Sequence, residues 1–286
     1  TAALADSPEG PQLSRVLACS PFIADLLRRQ PQLLLDLVAG GQLQQSLPET
    51  EFRSELQRLL SGEGAQLSPL LRYYRARHML RIVWRDFCRL ADTQETMRDT
   101  SLLAEAAIAE AVAFSQTELQ QRFGVPRGRH SGAEQQLIVL AMGKLGAREL
   151  NVSSDIDLIF AFPESGQTDS KTRSVSNEEF FTKVGQAVIN ALDQVTADGF
   201  VFRVDMRLRP YGDSGALVHN FVALEDYYQQ QGRDWERYAL IKARPVTGDP
   251  QRAQELMSSL RPFVYRRYVD FGVIESLRGM KQMINT

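Results

Sequence analysis

The stretch Glu149–Phe162, "ELNVSSDIDLIFAF", places two aspartates at the start of an otherwise apolar run. Asp155 and Asp157 are separated by Ile156 and followed by aliphatic and aromatic residues that are typical of a buried strand. Side chains alternate between the two faces of a strand, so both carboxylates are predicted to point the same way. Burying an unpaired carboxylate is unfavourable, and the pair is therefore expected to serve a cation or another charged ligand.

A second predicted strand, "GFVFRVDMRLRP", alternates between apolar and charged residues. Its polar face carries, in order, Arg203, Asp205, Arg207 and Arg209. If the two strands are neighbours, Asp205 joins Asp155 and Asp157 in one acidic cluster, which needs a cation to relieve the repulsion. Oxygen ligands of this kind suit Mg²⁺ or Mn²⁺, and the flanking arginines are predicted to contact phosphate groups.

A glycine turn, "MGKLGARELNVSS", lies between a short buried strand, "QLIVLA", and the acidic pair. Backbone N–H groups exposed by such a turn can cradle a phosphate or a ribose, and Gly143, Lys144 and Gly146 are the candidates. Ser153 and Ser154 stand directly before the acidic pair, where they can hydrogen-bond a phosphate or fix the turn. The spacing is not that of a P-loop. Taken alone, the Asp-Ile-Asp motif fits a plain Ca²⁺ site or an exposed strand edge as well as it fits a site for catalysis.

The whole chain has 286 residues and a net charge of −2, which gives no general attraction to nucleic acid or to an anionic membrane. No apolar run reaches membrane-spanning length. Its two cysteines are too few and too far apart to indicate a disulfide framework or a zinc site, so a reduced, cytoplasmic protein is expected. We also expect the chain to be the front part of something longer, because it begins without Met and stops among helix-forming residues.

The periodicity of the chain predicts three regions. Residues 1–122 are predicted to form a helical domain, in which His78, Trp84 and Phe87 are expected to be structural. A linker, "GVPRGRHSGAEQQ", opens residues 123–250, which hold the predicted strands and a helix that begins at Asn177. Between the acidic strand and that helix, "PESGQTDSKTRSVS" is predicted to be a loop. Residues 251–286 are predicted to start a helical bundle.

The order of glycine turn, Asp-apolar-Asp strand and later carboxylate resembles the nucleotidyltransferase superfamily, with its DNA polymerase β-like fold. Three segments together look like the bifunctional glutamine synthetase adenylyltransferase/adenylyl-removing family: "GKLGARELNVSSDIDLIFAF", "GFVFRVDMRLRPYGDSGALV" and "LEDYYQQQGRDWERYALIKARPVTGD". Within that family, "SSDIDLIF" and "VDMRLRP" are similar to the N-terminal, adenylyl-removing half. The resemblance implies an α+β fold with a helical N-terminal domain, a mixed nucleotidyltransferase sheet and the start of a C-terminal bundle.

Residue by residue, the resemblance implies that Asp155, Asp157 and Asp205 are metal-binding carboxylates, with Gly143, Lys144 and Gly146 as the glycine loop. Gly143-Lys144 departs from the family's usual Gly-Ser, a role that Ser153 or Ser154 is expected to cover. Trp235, Glu236, Lys242 and Arg244 match motif positions without an assigned role, and Trp235 and Tyr238 are expected to pack in the core.

The function implied is phosphorolytic removal of AMP from adenylyl-tyrosine on glutamine synthetase, with ADP as product and Mg²⁺ or Mn²⁺ as cofactor. The implied partners are glutamine synthetase, the nitrogen-regulatory PII protein, a nucleotide and inorganic phosphate. Two alternatives remain at this point: transfer of AMP from ATP to glutamine synthetase, and a non-catalytic domain that binds nucleotide or PII. A nucleic-acid nucleotidyltransferase is disfavoured, because the sequence has no basic stripe with interleaved aromatic residues.

Overall fold

The computed structural model describes residues 9–62 and 64–265, together with Glu275, Arg278, Gly279 and Gln282. The chain divides into two compact units. The first comprises Thr1–Glu110, Arg148–Ser154 and Ala191–Arg203, and the second comprises Ala111–Ala147, Asp155–Asn190 and Val204–Thr286. The predicted division at residues 122 and 250 stays a prediction, and most of the predicted bundle after residue 265 lies outside the described residues.

Helices dominate the N-terminal part of the chain, as the periodicity predicts. They are α1 (Glu9–Cys19), α2 (Pro21–Arg29), α3 (Gln32–Ala39), α4 (Glu49–Leu60), α5 (Leu67–Phe87) and α6 (Thr93–Phe123). The Ser-Pro start signal of α2 acts as expected, because the Ser20 hydroxyl accepts a hydrogen bond from the Ile23 backbone N–H at 3.2 Å. Trp84 and Leu80 of α5 pack with Ile23 and Leu37 in the core of the first unit.

His78 has the structural role that its sequence context indicates. Its side chain is 2% exposed, and its Nε2 lies 3.0 Å from Oε2 of Glu55 on α4. Burial lowers the pKa of His78, while the hydrogen bond and the charge of Glu55 act in the opposite direction. The imidazole is therefore part of the packing between α4 and α5.

A mixed sheet forms the centre of the second unit. The strands are β1 (Pro126–Gly128), β2 (Ile138–Ala141), β3 (Ile156–Phe162), β4 (Gly166–Thr168), β5 (Val204–Asp205), β6 (Val218–Asn220) and β7 (Arg244–Pro245). Five of them form one sheet in the order β5-β3-β2-β7, in which β6 also pairs with β3. β3 runs antiparallel to β2 and parallel to both β5 and β6.

Helices cover both faces of β3, which explains its nearly continuous apolar sequence. The remaining helices are α7 (Gly143–Gly146), α8 (Asn177–Asp193), α9 (Phe221–Gln230), α10 (Asp234–Leu240) and α11 (Pro250–Val264). On one face, the ring of Phe162 stacks on Phe181 of α8 with centroids 4.9 Å apart. On the other, Ile159 and Ala161 pack with Leu224 of α9 and with apolar residues of α11. Asp157 lies on this second face, by strand alternation.

Three sequence-based expectations were wrong. The predicted linker and the predicted loop contain β1 and β4, which pair with each other as a two-stranded antiparallel sheet. The predicted strand through Leu208 is limited to Val204–Asp205, because the chain enters a turn at Arg207.

Among the described residues, no helix combines the length and the apolar character needed to cross a membrane.

Candidate active site

Asp157 and Asp205 face each other across two parallel strands. The register pairs Ile156 with Val204 and Asp157 with Asp205. Parallel strands lie about 4.8 Å apart, so the two side chains emerge as direct neighbours at the start of β3. Asp155 precedes β3 by one residue and is exposed. The sheet thus joins two of the three predicted carboxylates directly, although they are separated by 47 intervening residues in the sequence.

The electrostatics of Asp157 reflect this crowding. Burial raises the pKa of the Asp157 carboxyl, and the negative charges of Asp205 and Asp155 raise it further. The positive charges of Arg207 and Lys144 act in the opposite direction. The half-buried carboxylate of Asp157 is therefore under repulsion that a bound cation would relieve.

Arg207 compensates the charge of Asp205 instead of pointing outward from an extended strand. Its Nε donates to both carboxylate oxygens of Asp205, at 3.1 and 2.9 Å, and its backbone N–H donates to Oδ1 at 2.8 Å. These hydrogen bonds from Arg207 are the main reason that the pKa of Asp205 lies below its ordinary value. The Asp205 side chain is 16% exposed and that of Arg207 is 73% exposed, so solvent or a phosphate can reach the guanidinium.

Arg209 has a different environment from Arg207. Its Nη1 donates to the Met206 carbonyl at 2.8 Å and lies 3.6 Å from Asp213. Its Nε is buried and has no hydrogen-bond partner among the described residues. The side chain thus closes the turn after β5, and the predicted phosphate contact of Arg209 stays a prediction.

The predicted glycine loop forms a single helical turn, α7, immediately after β2. Gly143 has a φ of +53°, and a Cβ at this position would lie 2.6 Å from Oδ2 of Asp157. A Cβ on Gly146 would lie 2.0 Å from the carbonyl oxygen of Lys242. Gly143 therefore allows the close approach of Asp157, whereas Gly146 allows close packing against the chain before β7. Lys144, between them, is exposed.

Arg244 holds the C-terminal end of this turn. Its Nε donates to the Gly146 carbonyl and its Nη2 to the Leu145 carbonyl, both at 3.1 Å. Helix termini leave such carbonyls without intrahelical partners, so the guanidinium acts as a cap. This gives a structural role to one of the motif positions for which the sequence assigns none.

Ser153, Ser154 and Arg203 belong to the first unit. There, Nη2 of Arg203 donates to the Ser153 carbonyl at 2.7 Å, and its guanidinium lies over the Phe200 ring, 5.8 Å from the centroid. All three residues line one cavity of that unit. Their predicted contacts with nucleotide or phosphate stay predictions.

Trp235 and Tyr238 are exposed, at 37% and 56%, so the expectation that they pack in the core was wrong. The buried side of α10 is formed by Glu236, Arg237 and Leu240. Glu236 is 2% exposed and accepts hydrogen bonds from the Tyr227 hydroxyl at 2.7 Å and the Arg233 backbone N–H at 2.8 Å. A polar buried face leaves the aromatic residues of this short helix on the outside.

A cavity of about 340 Å³ beside Arg207 was not predicted from the sequence. Three of the residues that line it are aromatic, Tyr211, Tyr227 and Trp235, and most of the others are polar, among them Arg233 and Glu236. The backbone of Tyr211 has a φ of +60°, which is unusual for a residue with a side chain and turns its ring toward Tyr227, with centroids 4.6 Å apart. The only sequence signal was the Pro210–Gly215 turn, which says nothing about a cavity.

The chemistry of the donor set fits a hard divalent cation. Asp157 and Asp205 offer oxygen ligands from adjacent strands. Within the part of the chain that the structure describes, no group of three or more His, Cys, Asp or Glu side chains is arranged to hold a metal. Cation binding would accordingly require Arg207 to release the Asp205 carboxylate. It would also require the Asp155 carboxylate to move toward those of Asp157 and Asp205.

Comparison with known proteins supplies the family. The family model of glutamate-ammonia ligase adenylyltransferase matches residues 10–259. The chain belongs to this family. A bifunctional glutamine synthetase adenylyltransferase/adenylyl-removing enzyme of Hahella chejuensis is 54% identical over 276 residues, which is 96% of this chain and 29% of the relative. Proteins of the same description from Pseudomonas aeruginosa and Pseudomonas syringae pv. tomato are 55% and 56% identical over 272 residues.

The glutamate-ammonia ligase adenylyltransferase match covers both units of the chain, including α7, β3 and β5. The two Pseudomonas relatives are matched over 94% of this chain and 28% of their own length. The chain therefore spans less than a third of the length of these relatives. Their description names two activities, and the match by itself does not assign either of them to this part.

Proposed function

We propose that this chain carries the adenylyl-removing activity of its family, the phosphorolytic removal of AMP from an adenylyl-tyrosine of glutamine synthetase. The observation that carries the proposal is the register of β3 and β5, which sets Asp157 beside Asp205 next to the glycine turn. The resemblance of "SSDIDLIF" and "VDMRLRP" to the removing half supports the direction. Glutamine synthetase and the PII protein are the proposed partners, in the cytoplasm.

In this proposal, Asp157 and Asp205, with Asp155, would hold Mg²⁺ or Mn²⁺. When bound, the ion supplies positive charge that neutralises phosphate oxygens. Arg207, once released from Asp205, binds the attacking inorganic phosphate and the phosphodiester together with Lys144. Their positive charges offset the repulsion between these two anionic groups. An oxygen of the phosphate forms the new bond to the α-phosphorus, and the bond from that phosphorus to the tyrosine oxygen breaks. The tyrosine oxygen takes up a proton and ADP leaves.

The cavity beside Arg207 supports the same assignment. Its volume of about 340 Å³ suits a nucleoside or the aromatic side chain of the target tyrosine, with Tyr211 and Trp235 as rings in an otherwise largely polar wall. Arg207 lines this cavity and contacts Asp205, so an adenylyl group held there has its phosphate near the carboxylates. Tyr211 and Trp235 would then position the substrate by stacking.

The test uses glutamine synthetase that carries radiolabelled AMP on its tyrosine, incubated with this chain, Mg²⁺ and inorganic phosphate. We expect labelled ADP as the product, no reaction without phosphate, and none with the Asp157→Asn variant. Asp226→Asn is the matched control, because Asp226 is an exposed carboxylate on α9 of the same unit.

Each other outcome has a specific meaning. Labelled AMP as the product would show attack by water and refute phosphorolysis. Incorporation of label from ATP into unmodified glutamine synthetase, without removal, would assign the opposite activity. Binding of nucleotide without any product under either condition would indicate a regulatory domain.

A further inference from the structure

The first unit contains a cavity of about 650 Å³. Its walls come from α2, α5, the segment before Asp155 and the segment before β5, all of them within that unit. Sites that bind small organic molecules have volumes of about 300–1,000 Å³. The cavity is thus large enough for a ligand the size of a nucleotide or an aromatic acid.

Two guanidinium groups lie over one aromatic ring in this cavity. The Cζ atoms of Arg75 and Arg203 lie 5.0 and 5.8 Å from the centroid of Phe200. The Nε of Arg75 is buried and has no hydrogen-bond partner among the described residues. A buried donor left without an acceptor is costly, so Arg75 is arranged for an acceptor that the protein itself does not provide at Nε.

The charge balance of the wall favours an anion. Four arginines line the cavity against two aspartates. Burial lowers the pKa of Arg75 to about 10, and the positive charge of Arg203 lowers it too. Arg72 already donates to the carbonyl oxygens of Ser68 and Gly199, at 2.9 Å each, and Arg203 donates to the carbonyl oxygen of Ser153 at 2.7 Å. Arg75, whose Nε has no hydrogen-bond partner among the described residues, is therefore the group best placed to meet a ligand.

The rest of the wall is apolar and partly aromatic. The Phe22 and Phe202 rings lie 5.6 and 6.0 Å from the Arg75 Cζ, so three rings surround one guanidinium. Phe22 is 38% exposed, although aromatic side chains of this size are usually buried more deeply. A planar body between these rings would cover Phe22 while its anionic group reached Arg75.

We propose that this cavity binds a small organic anion with a planar apolar body. Its carboxylate or phosphate contacts Arg75 and Arg203, and its ring packs against Phe22, Phe200 and Phe202. The site is built from the first unit alone and does not rest on the proposed activity. Ser153 and Ser154 form part of its wall.

The test is a fluorescence titration of this chain with 8-anilinonaphthalene-1-sulfonate, a planar aromatic anion. We expect saturable binding of one probe, weakened about tenfold or more in Arg75→Met, since a charge-assisted contact is lost. Arg75→Lys is expected to retain part of the affinity. The control Arg58→Met removes an arginine that pairs with Glu51 on the surface of α4 and should bind the probe as the parent does.

Because this probe also binds loosely packed states, every variant is first checked for a cooperative thermal transition. If Arg75→Met does not fold, Arg203→Met replaces it, since Arg203 is exposed and its loss is less disruptive. Displacement of the probe by AMP, but not by inorganic phosphate, would identify a nucleotide as the ligand. Displacement by indole-3-acetate, but not by AMP, would identify an aromatic carboxylate. Equal binding in the parent and the arginine variants, or no displacement by either class, would overturn the proposal.

Discussion

Replacement of Asp157 by asparagine is expected to make the metal-free protein more stable while removing its response to Mg²⁺. The carboxylate faces Asp205 in register, and its pKa is raised by burial and by the charges of Asp205 and Asp155. Asparagine keeps the volume of the side chain and removes the charge. A structural aspartate would give the opposite result, because its loss would remove favourable hydrogen bonds.

The size of the effect follows from the pairing. Interactions between directly opposed side chains on neighbouring strands are worth about 0.2–1 kcal/mol, and like charges there are unfavourable. A change of 1 kcal/mol moves the melting temperature of a unit of 150–250 residues by about 2–4 °C. Asp157→Asn should therefore raise the melting temperature in chelator by up to about 4 °C.

Mg²⁺ should stabilise the parent chain, and not the variant, by an amount similar to the gain that the substitution gives in chelator. An ion that binds only the folded state with a Kd of about 1 mM stabilises it, at 10 mM, by about 1.4 kcal/mol. The parent chain should gain this stabilisation in Mg²⁺ and the Asp157→Asn variant should not. Differential scanning calorimetry in chelator and in 10 mM Mg²⁺ measures both effects, with Asp226→Asn as the control.

Two results would refute this reasoning. A clear loss of stability of Asp157→Asn in chelator would mean that the carboxylate is a structural acceptor. Equal stabilisation of the parent and the variant by Mg²⁺ would mean that the ion binds elsewhere. The two outcomes are independent, since the first concerns the repulsion between carboxylates and the second concerns the ligand set.

Three further predictions concern the glycine turn, Arg207 and His78. Gly146→Ala should lower the free energy of unfolding by about 1–3 kcal/mol or more, because its Cβ would clash with the backbone oxygens of Lys242 and Ala141. Gly143→Ala should lower it by roughly 1–2 kcal/mol because of its positive φ, and should also disturb Asp157. Urea unfolding of the two variants measures both losses. Arg207→Met should raise the phosphate concentration needed for half-maximal activity and yet tighten Mg²⁺ binding, because the side chain that competes for Asp205 is gone. Kinetics at varied phosphate measure the first effect and calorimetric titration with Mg²⁺ measures the second. A fall in both affinities would contradict the prediction. Burial lowers the pKa of His78, with Glu55, Arg77 and Arg81 around it, so the folded state favours the neutral imidazole and stability should fall as the pH drops below the ordinary value of 6.5. In His78→Gln, the melting temperature should depend less on pH between 7.5 and 5.5. An unchanged pH dependence in this variant would exclude His78 as the cause.

Local sequence patterns predicted the parts of the fold that are determined locally. The apolar run after Asp157 forms β3, the Ser-Pro signal begins α2, and Asn177 begins α8. The mixed character of the sheet is also confirmed. These features depend on alternation, caps and helix starts, which a few neighbouring residues specify.

Long-range contacts decided the parts that were missed. β1 and β4 are three residues each. The side chain of Asn177 ties β1 to the segment just before β4, because its Nδ2 donates to the carbonyls of Arg127 and Glu164 at 2.9 Å each. The alternation after Asp205 continues in the sequence, but the backbone turns because Asp205 accepts from the Arg207 N–H. A periodic pattern cannot distinguish a strand from a turn that the chain stabilises with its own charges.

The pair of Asp205 and Arg207 suggests how an acidic cluster persists before any cation binds. The like charges of Asp157 and Asp205 would repel each other, and the positive charge of Arg207 offsets that of Asp205. Arg207 is thereby engaged by Asp205 and is less available to other anions. An incoming cation and an incoming phosphate act on opposite members of this pair, since the cation attracts the carboxylate and the phosphate attracts the guanidinium. Each ligand thus weakens the contact that competes with the other. Phosphate and the divalent ion should therefore bind cooperatively, and this cooperativity should disappear in Arg207→Met.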